Sequence, residues 1–165
     1  MPDMNPEFAE VISQEPQNLI PASSPNLPGG VVKFDKLITA TANINALSAP
    51  VDGKLKINVA GWYNVIAGVT GNLNPLPESL PVLTFSLFLN GVIIDGSTFA
   101  HANLSQTQPS NEISCNILAY CNVGDELTLA NTSNLNVAFS PIKMPSSPQT
   151  NSAYLKVELM RAGPK

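Results

Sequence analysis

The chain has 165 residues, 44% of them apolar and only 12% charged, about half the usual charged share. Its formal charge of -4 and its eight scattered Lys and Arg argue against a nucleic-acid partner, which needs a basic stripe, and against an anionic membrane surface. No apolar run approaches the roughly 18 residues of a membrane span, so no membrane partner is expected.

Residues 1–30 stand apart. They hold six of the fifteen prolines and end in Pro28-Gly29-Gly30. Proline fixes φ and removes a ladder donor, so the expectation is an extended arm rather than a folded unit. The opening MPDMNPEFAEV is acidic and interrupted by prolines, unlike a signal peptide. Either a signal has been removed, or the protein reaches its place without one. Two readings of this arm compete. One is a disordered leader. The other is an attachment segment that docks on a neighbour through Phe8, Val11, Ile12, Leu19 and Ile20. The expected domain division is therefore 1–30 as arm and 31–165 as a single folded domain.

From Val31 onward the pattern is alternation. Val32, Phe34 and Ile38 begin a strand, and a short segment at 41–47 is a further candidate. Lys54 to Val59 and Trp62 to Thr70 alternate on either side of a Gly61-Trp62 corner, with Tyr63, Val65, Ala67 and Val69 on one face. Three prolines keep 71–81 a loop. Leu83, Phe85, Leu87 and Leu89 share a face of the next strand. Asn90-Gly91 is a strong signal for a type I′ hairpin turn, with a return strand from Val92. Residues 96–110 read as loop with a possible short strand near 97–102. Glu112 to Cys121 alternates most clearly. A Val123-Gly124-Asp125 turn follows, then strands at 126–130, 135–139 and 153–159. Short strands, frequent turns and no helical periodicity beyond Phe8 to Ser13 define an all-β, antiparallel two-sheet sandwich of jelly-roll type, carrying an extended Pro-rich N-terminal arm.

Five large side chains fall on the parity opposite the core: Trp62, Phe88, Leu118, Tyr120 and Tyr154. Left in water they form a costly patch, so they are the candidate subunit interface. The competing assignment is that some of them cover loops of their own chain.

The ordered set Gly61-x-Tyr63-x-Val65, Leu87-x-Leu89-Asn90-Gly91, Val123-Gly124-Asp125-x-Leu127-x-Leu129 and Ser152-Ala153-Tyr154-Leu155 resembles the jelly roll of tumour necrosis factor and the complement heads. Within it, the chain resembles the bacterial branch on bacillus spore surfaces, in the exosporium basal layer and the C-terminal domains of collagen-like glycoproteins. The likeness runs from Val31 to Leu159. It implies a homotrimer and a non-enzymatic structural role in a spore- or cell-surface layer or appendage, joined to other layer proteins by the arm. The alternative is a receptor- or carbohydrate-binding head acting through loops 71–81, 96–110 and 141–151. Val65 fills the usual aromatic position after Tyr63, and the chain has no Gly-x-y repeat.

No catalytic residue is expected. His101 is the single histidine and has no acid near it in sequence to orient it. No metal and no cofactor is expected. Asp52, Asp95 and Asp125 each adjoin a glycine and read as turn residues, without a D-x-D calcium pattern. Cys115 and Cys121 lie six apart in one strand, about 20 Å when extended, too far for a disulfide. They read as small buried apolar groups. Asn103-Leu104-Ser105 and Asn131-Thr132-Ser133 match the glycosylation sequon.

Overall fold

In the first strand Ala9, Val11 and Ser13 alternate with Phe8, Glu10 and Ile12, and Pro6 and Pro16 fall outside it. That alternation prevails over the proline content of the leader. The computed structural model describes residues 7–39, 48, 50–71, 82–102, 111–139, 141 and 151–162. Its strands are β1 (Glu7–Ser13), β2 (Gln17–Leu19), β3 (Lys36–Thr39), β4 (Leu55–Lys56), β5 (Gly61–Gly71) and β6 (Val82–Leu89). They continue with β7 (Val92–Ile93), β8 (Phe99–Ala102), β9 (Asn111–Cys121), β10 (Glu126–Asn131), β11 (Val137–Phe139) and β12 (Ala153–Ala162). No helix occurs among the described residues.

Two antiparallel sheets face each other. The first has the order β3-β1-β12-β5-β9. The second runs β4-β10-β6-β7, with β8 pairing further along β6. A small β11-β2 pair sits beside them. The inward parity of each strand fills the space between: Ala9 and Val11, Tyr63 through Val69, Leu83 through Leu87, Leu127 and Leu129, and Ala153 through Val157 are buried together. Tyr63, a large polar-tipped core side chain, satisfies its hydroxyl by donating to the Val59 carbonyl at 2.5 Å.

The expected N-terminal arm is corrected. β1 lies inside the first sheet, paired with β12 over Glu7–Ser13 and with β3 over Ala9–Ile12. Val11, Ile12 and Leu19 are buried in their own chain and are unavailable to a neighbour. The following segment crosses to the second sheet. There Gly29 donates to the Asn131 carbonyl, Asn131 to that of Gly30, and Val32 to that of Leu129. Glycine is required in this crossing: a Cβ on Gly30 would stand 2.7 Å from the Leu19 Cα. The chain then returns, Asp35 donating to Ile12, to add β3. Residues 7–39 thus stitch the two sheets together, and the division at residue 30 does not hold. Residues 1–6 and the candidate segment at 41–47 lie outside the described residues.

Most of the other strand expectations are met, but the strand expected over Lys54–Val59 is confined to Leu55–Lys56 and the one expected from Val32 begins at Lys36. Asn90 and Gly91 have φ of 53° and 81°, the left-handed pair that a type I′ turn requires. β12 runs three residues past the expected Leu159. It passes a register shift between Leu159 and Arg161, where Met160 is the extra residue.

Candidate functional site

Directly paired residues on neighbouring strands point to the same side, so the register defines what the first sheet shows to solvent. One row reads Phe8, Glu158, Asn64, Leu118. The next reads Ile38, Glu10, Lys156, Ile66, Asn116. A third reads Lys36, Ile12, Tyr154, Gly68, Ser114. Beyond the first row Trp62 pairs with Tyr120, and Arg161 with Trp62.

The face has two apolar banks. The larger is Trp62, Leu118, Tyr120 and Met160, on β5, β9 and the end of β12. Trp62 and Tyr120 meet edge to face, their ring centres 5.4 Å apart. The smaller is Phe8 and Ile38, on β1 and β3. Phe8, Ile38, Trp62, Leu118 and Met160 are all exposed, Leu118 most of all at 62%. Between the banks runs a charged stripe on β12 and β1. Lys156 pairs with Glu10 at 3.5 Å and stands 5.7 Å from the Tyr154 ring centre, and Glu158 lies between Phe8 and Asn64 in register. Solvent screens so open a pair, which contributes at most about 1 kcal/mol.

Of the five residues expected at a subunit interface, four stand on this face. Trp62 and Leu118 are exposed, while Tyr120 and Tyr154 are half-buried. Tyr154 lies flat on its own sheet, where a Cβ on Gly68 would come within 2.5 Å of its ring. Phe88 is a correction. It sits on β6, on the outer side of the other sheet, and is 0% exposed within its own chain. Its parity was read correctly, but parity does not say which sheet a strand joins. Of the five arm residues only Phe8 and Ile20 are exposed. Ile38 and Met160 were missed. Ile38 shares the parity of the buried Val32 and Phe34, which assigns it to the core side, and only the pairing of β3 with β1 turns it outward; Met160 shares the parity of Tyr154, Lys156 and Glu158, a signal available one residue past the expected strand end at Leu159.

The remaining chemistry-bearing residues are dispersed. His101 lies on β8 opposite Leu83 in register. Among the described residues no group of three or more His, Cys, Asp or Glu is placed to hold a metal. Asp52 has φ of 51° in its turn, and Asp125 accepts from the Asn122 amide at 2.7 Å. Both cysteines are free. Burial pushes the Cys115 thiol up to about 11, and burial with the nearby Asp125 charge does the same for Cys121. Asn131 of the second sequon is fully buried, its amide donating to the carbonyls of Ile20 and Leu135, so the folded chain offers no acceptor there. Asn103 lies outside the described residues.

No protein-family model and no curated protein sequence matches the chain. Solved structures do match over nearly all of it. The globular domain of zebrafish complement 1qA protein is 15% identical, with a TM-score of 0.55, over 95% of this chain and 98% of that one. Eiger TNF from S. frugiperda is 12% identical, with a TM-score of 0.58, over 97% and 94%. Murine APRIL is 9% identical, with a TM-score of 0.60, over 94% and 100%. The fold is the jelly roll of the TNF and complement heads.

Proposed function

We propose that this chain is a non-enzymatic structural protein that closes into a homotrimer through the outer face of its β3-β1-β12-β5-β9 sheet and serves as a building block of a cell- or spore-surface layer. The observation that carries the reading is the pair of apolar banks left open on that face. Burying a large apolar side chain contributes roughly 1.5–3 kcal/mol, and five such side chains per copy stand exposed there. A soluble monomer rarely leaves so large an apolar bank as Trp62, Leu118, Tyr120 and Met160 in water.

The choice of a three-fold ring over a two-fold dimer rests on the resemblance to the tumour necrosis factor and complement heads, and the two banks suit it. A cyclic trimer uses two different patches on each subunit, one meeting the other on the next copy. The Trp62–Leu118–Tyr120–Met160 bank and the Phe8–Ile38 bank are such a pair, separated by the Glu10–Lys156 stripe. Placement in a spore-surface layer rests on the sequence resemblance, together with a surface poor in charge and therefore weakly guarded against association. Attachment of residues 7–20 to a further layer protein is not part of the reading, because Val11, Ile12 and Leu19 are buried within their own chain and Phe8 belongs to the smaller bank. Among the described residues no helix is long and apolar enough to cross a membrane.

Light scattering tests the proposal. The expected mass is three times the 17.5 kDa of one chain, falling to one chain in Leu118→Asp while cooperative unfolding survives. A mass of 17.5 kDa for the unaltered protein overturns it.

A further inference from the structure

The Asn90–Gly91 turn carries chemistry of its own. Glycine has no side chain to shield its backbone nitrogen, so in an Asn-Gly pair that nitrogen attacks the side-chain carbonyl carbon of the asparagine. A C–N bond forms, ammonia leaves, and a five-membered imide results. Water then opens the ring to aspartate or its isomer, so one water enters and one ammonia departs, with no enzyme and no oxidant. Both Asn90 and Gly91 are exposed to that water.

In the folded chain the Asn90 amide is held at both ends. Its Nδ2 donates to Asp125 Oδ1 at 2.8 Å, and its Oδ1 accepts from the Glu126 amide at 2.9 Å. The backbone joins in, the Asn90 N–H donating to the Glu126 carbonyl at 2.9 Å. Asp125 is itself fixed, its Oδ2 accepting from the Asn122 amide and its carbonyl accepting from Ile57. Two turns distant in sequence are thereby locked together through one side-chain amide. To reach the Gly91 nitrogen, that amide must leave both partners and rotate.

We propose that Asn90 is a site of spontaneous deamidation held closed by Asp125, and that the change is self-reinforcing once it occurs. The aspartate product places a carboxylate where the amide donated, 2.8 Å from Asp125 Oδ1, and the isomer, whose chain runs through the former side-chain carbon, loses the amide donor as well. Two carboxylates at that distance repel at neutral pH and cannot rebuild the clamp. Two lysines beside these turns are otherwise placed: Lys54 pairs with Glu126 at 3.2 Å, and the Lys56 stem lies beside Gly124.

The test is the rate of the amide-to-acid mass change at position 90, read by peptide mass mapping during incubation at mildly alkaline pH. The folded protein should convert at least about tenfold more slowly than the same chain in urea, the factor that one hydrogen bond to a charged group represents. Asp125→Ala should lose that protection and Asp125→Asn, which keeps an acceptor, should retain most of it. Equal rates folded and unfolded overturn the proposal, as does an Asp125→Ala variant that is folded and converts no faster. Asn90→Asp, made directly, should melt below the unaltered protein at neutral pH and recover at acid pH; a variant that melts equally at both pH values overturns the self-reinforcing step.

Discussion

The two sheets solve the same problem differently. Each has an inner face sealed by the shared core, and each has large apolar residues on its outer face. On the β4-β10-β6-β7 sheet the large Phe88 is covered within the chain, while Val82, at the start of β6, is exposed. Phe88 and Ala130 are fully buried, and Ser86, Thr132, Thr84 and Thr98 exchange hydroxyl hydrogen bonds at 2.8–3.2 Å. On the β3-β1-β12-β5-β9 sheet Trp62, Leu118, Phe8 and Ile38 stay in water. One sheet is finished by its own chain and the other is left for a neighbour. The same parity in sequence therefore means stability in one sheet and assembly in the other, and substitutions on the two should fail in different ways.

The largest expected effect concerns the strand that ties the contrast together. Removing residues 1–20 takes β1 from between β12 and β3, along with β2. The product should show no cooperative unfolding transition by circular dichroism. A dispensable leader predicts the reverse, a folded domain that has merely lost an attachment. Next comes the direct comparison of the two outer faces. Phe88→Ala opens a cavity and should cost about 3–5 kcal/mol in denaturant titrations, while the mass in solution stays that of the parent. Leu118→Asp should do the opposite, leaving the fold of one chain intact and dispersing the assembly. If both substitutions change only stability, the distinction between a finished and an unfinished sheet is wrong.

A smaller effect separates covered from open positions within the first sheet. Tyr154 rests on Gly68, so Gly68→Ala forces a methyl into its ring and should cost about 1–3 kcal/mol by overpacking. If denaturant curves instead leave stability unchanged, the ring is free to swing away and Tyr154 belongs with the open bank.

Much of this was legible in the residues. Period-two alternation is a local signal, so β5, β6, β9 and the Asn90-Gly91 turn stood out without any knowledge of partners. What could not be read was pairing. Whether Phe88 faces water depends on which strands flank β6 and what crosses over them, and that is fixed by contacts far apart in sequence. The leader was misread for the same reason. Its prolines are a local signal for an extended arm, yet they bracket β1 rather than interrupt it, and only the distant β12 and β3 give Val11 and Ile12 a place to be buried. Leu118 and Trp62 were found because both strands carry large apolar groups on two sides, the one local pattern that a single buried face does not explain.

The smallest effect sharpens the contrast from inside the core. Cys121 is fully buried at the end of β9, and burial together with Asp125 raises its thiol from 9.0 to about 11. Below pH 9.0 the folded and unfolded chains both keep the proton and the contribution to stability is fully present. Between 9.0 and about 11 the unfolded chain gives up a proton that the folded chain retains, so stability falls as pH rises, by at most about 1.4 kcal/mol per pH unit. The difference between two proteins is the useful quantity, because it isolates this one thiol. Denaturant titrations of the parent and of Cys121→Ala, below and above pH 9.0, should show the parent's advantage shrinking with alkalinity. An advantage that holds constant across that range means the thiol meets water in the folded state, and that the end of the sandwich beside Trp62 and Tyr120 is open where a sealed core is expected.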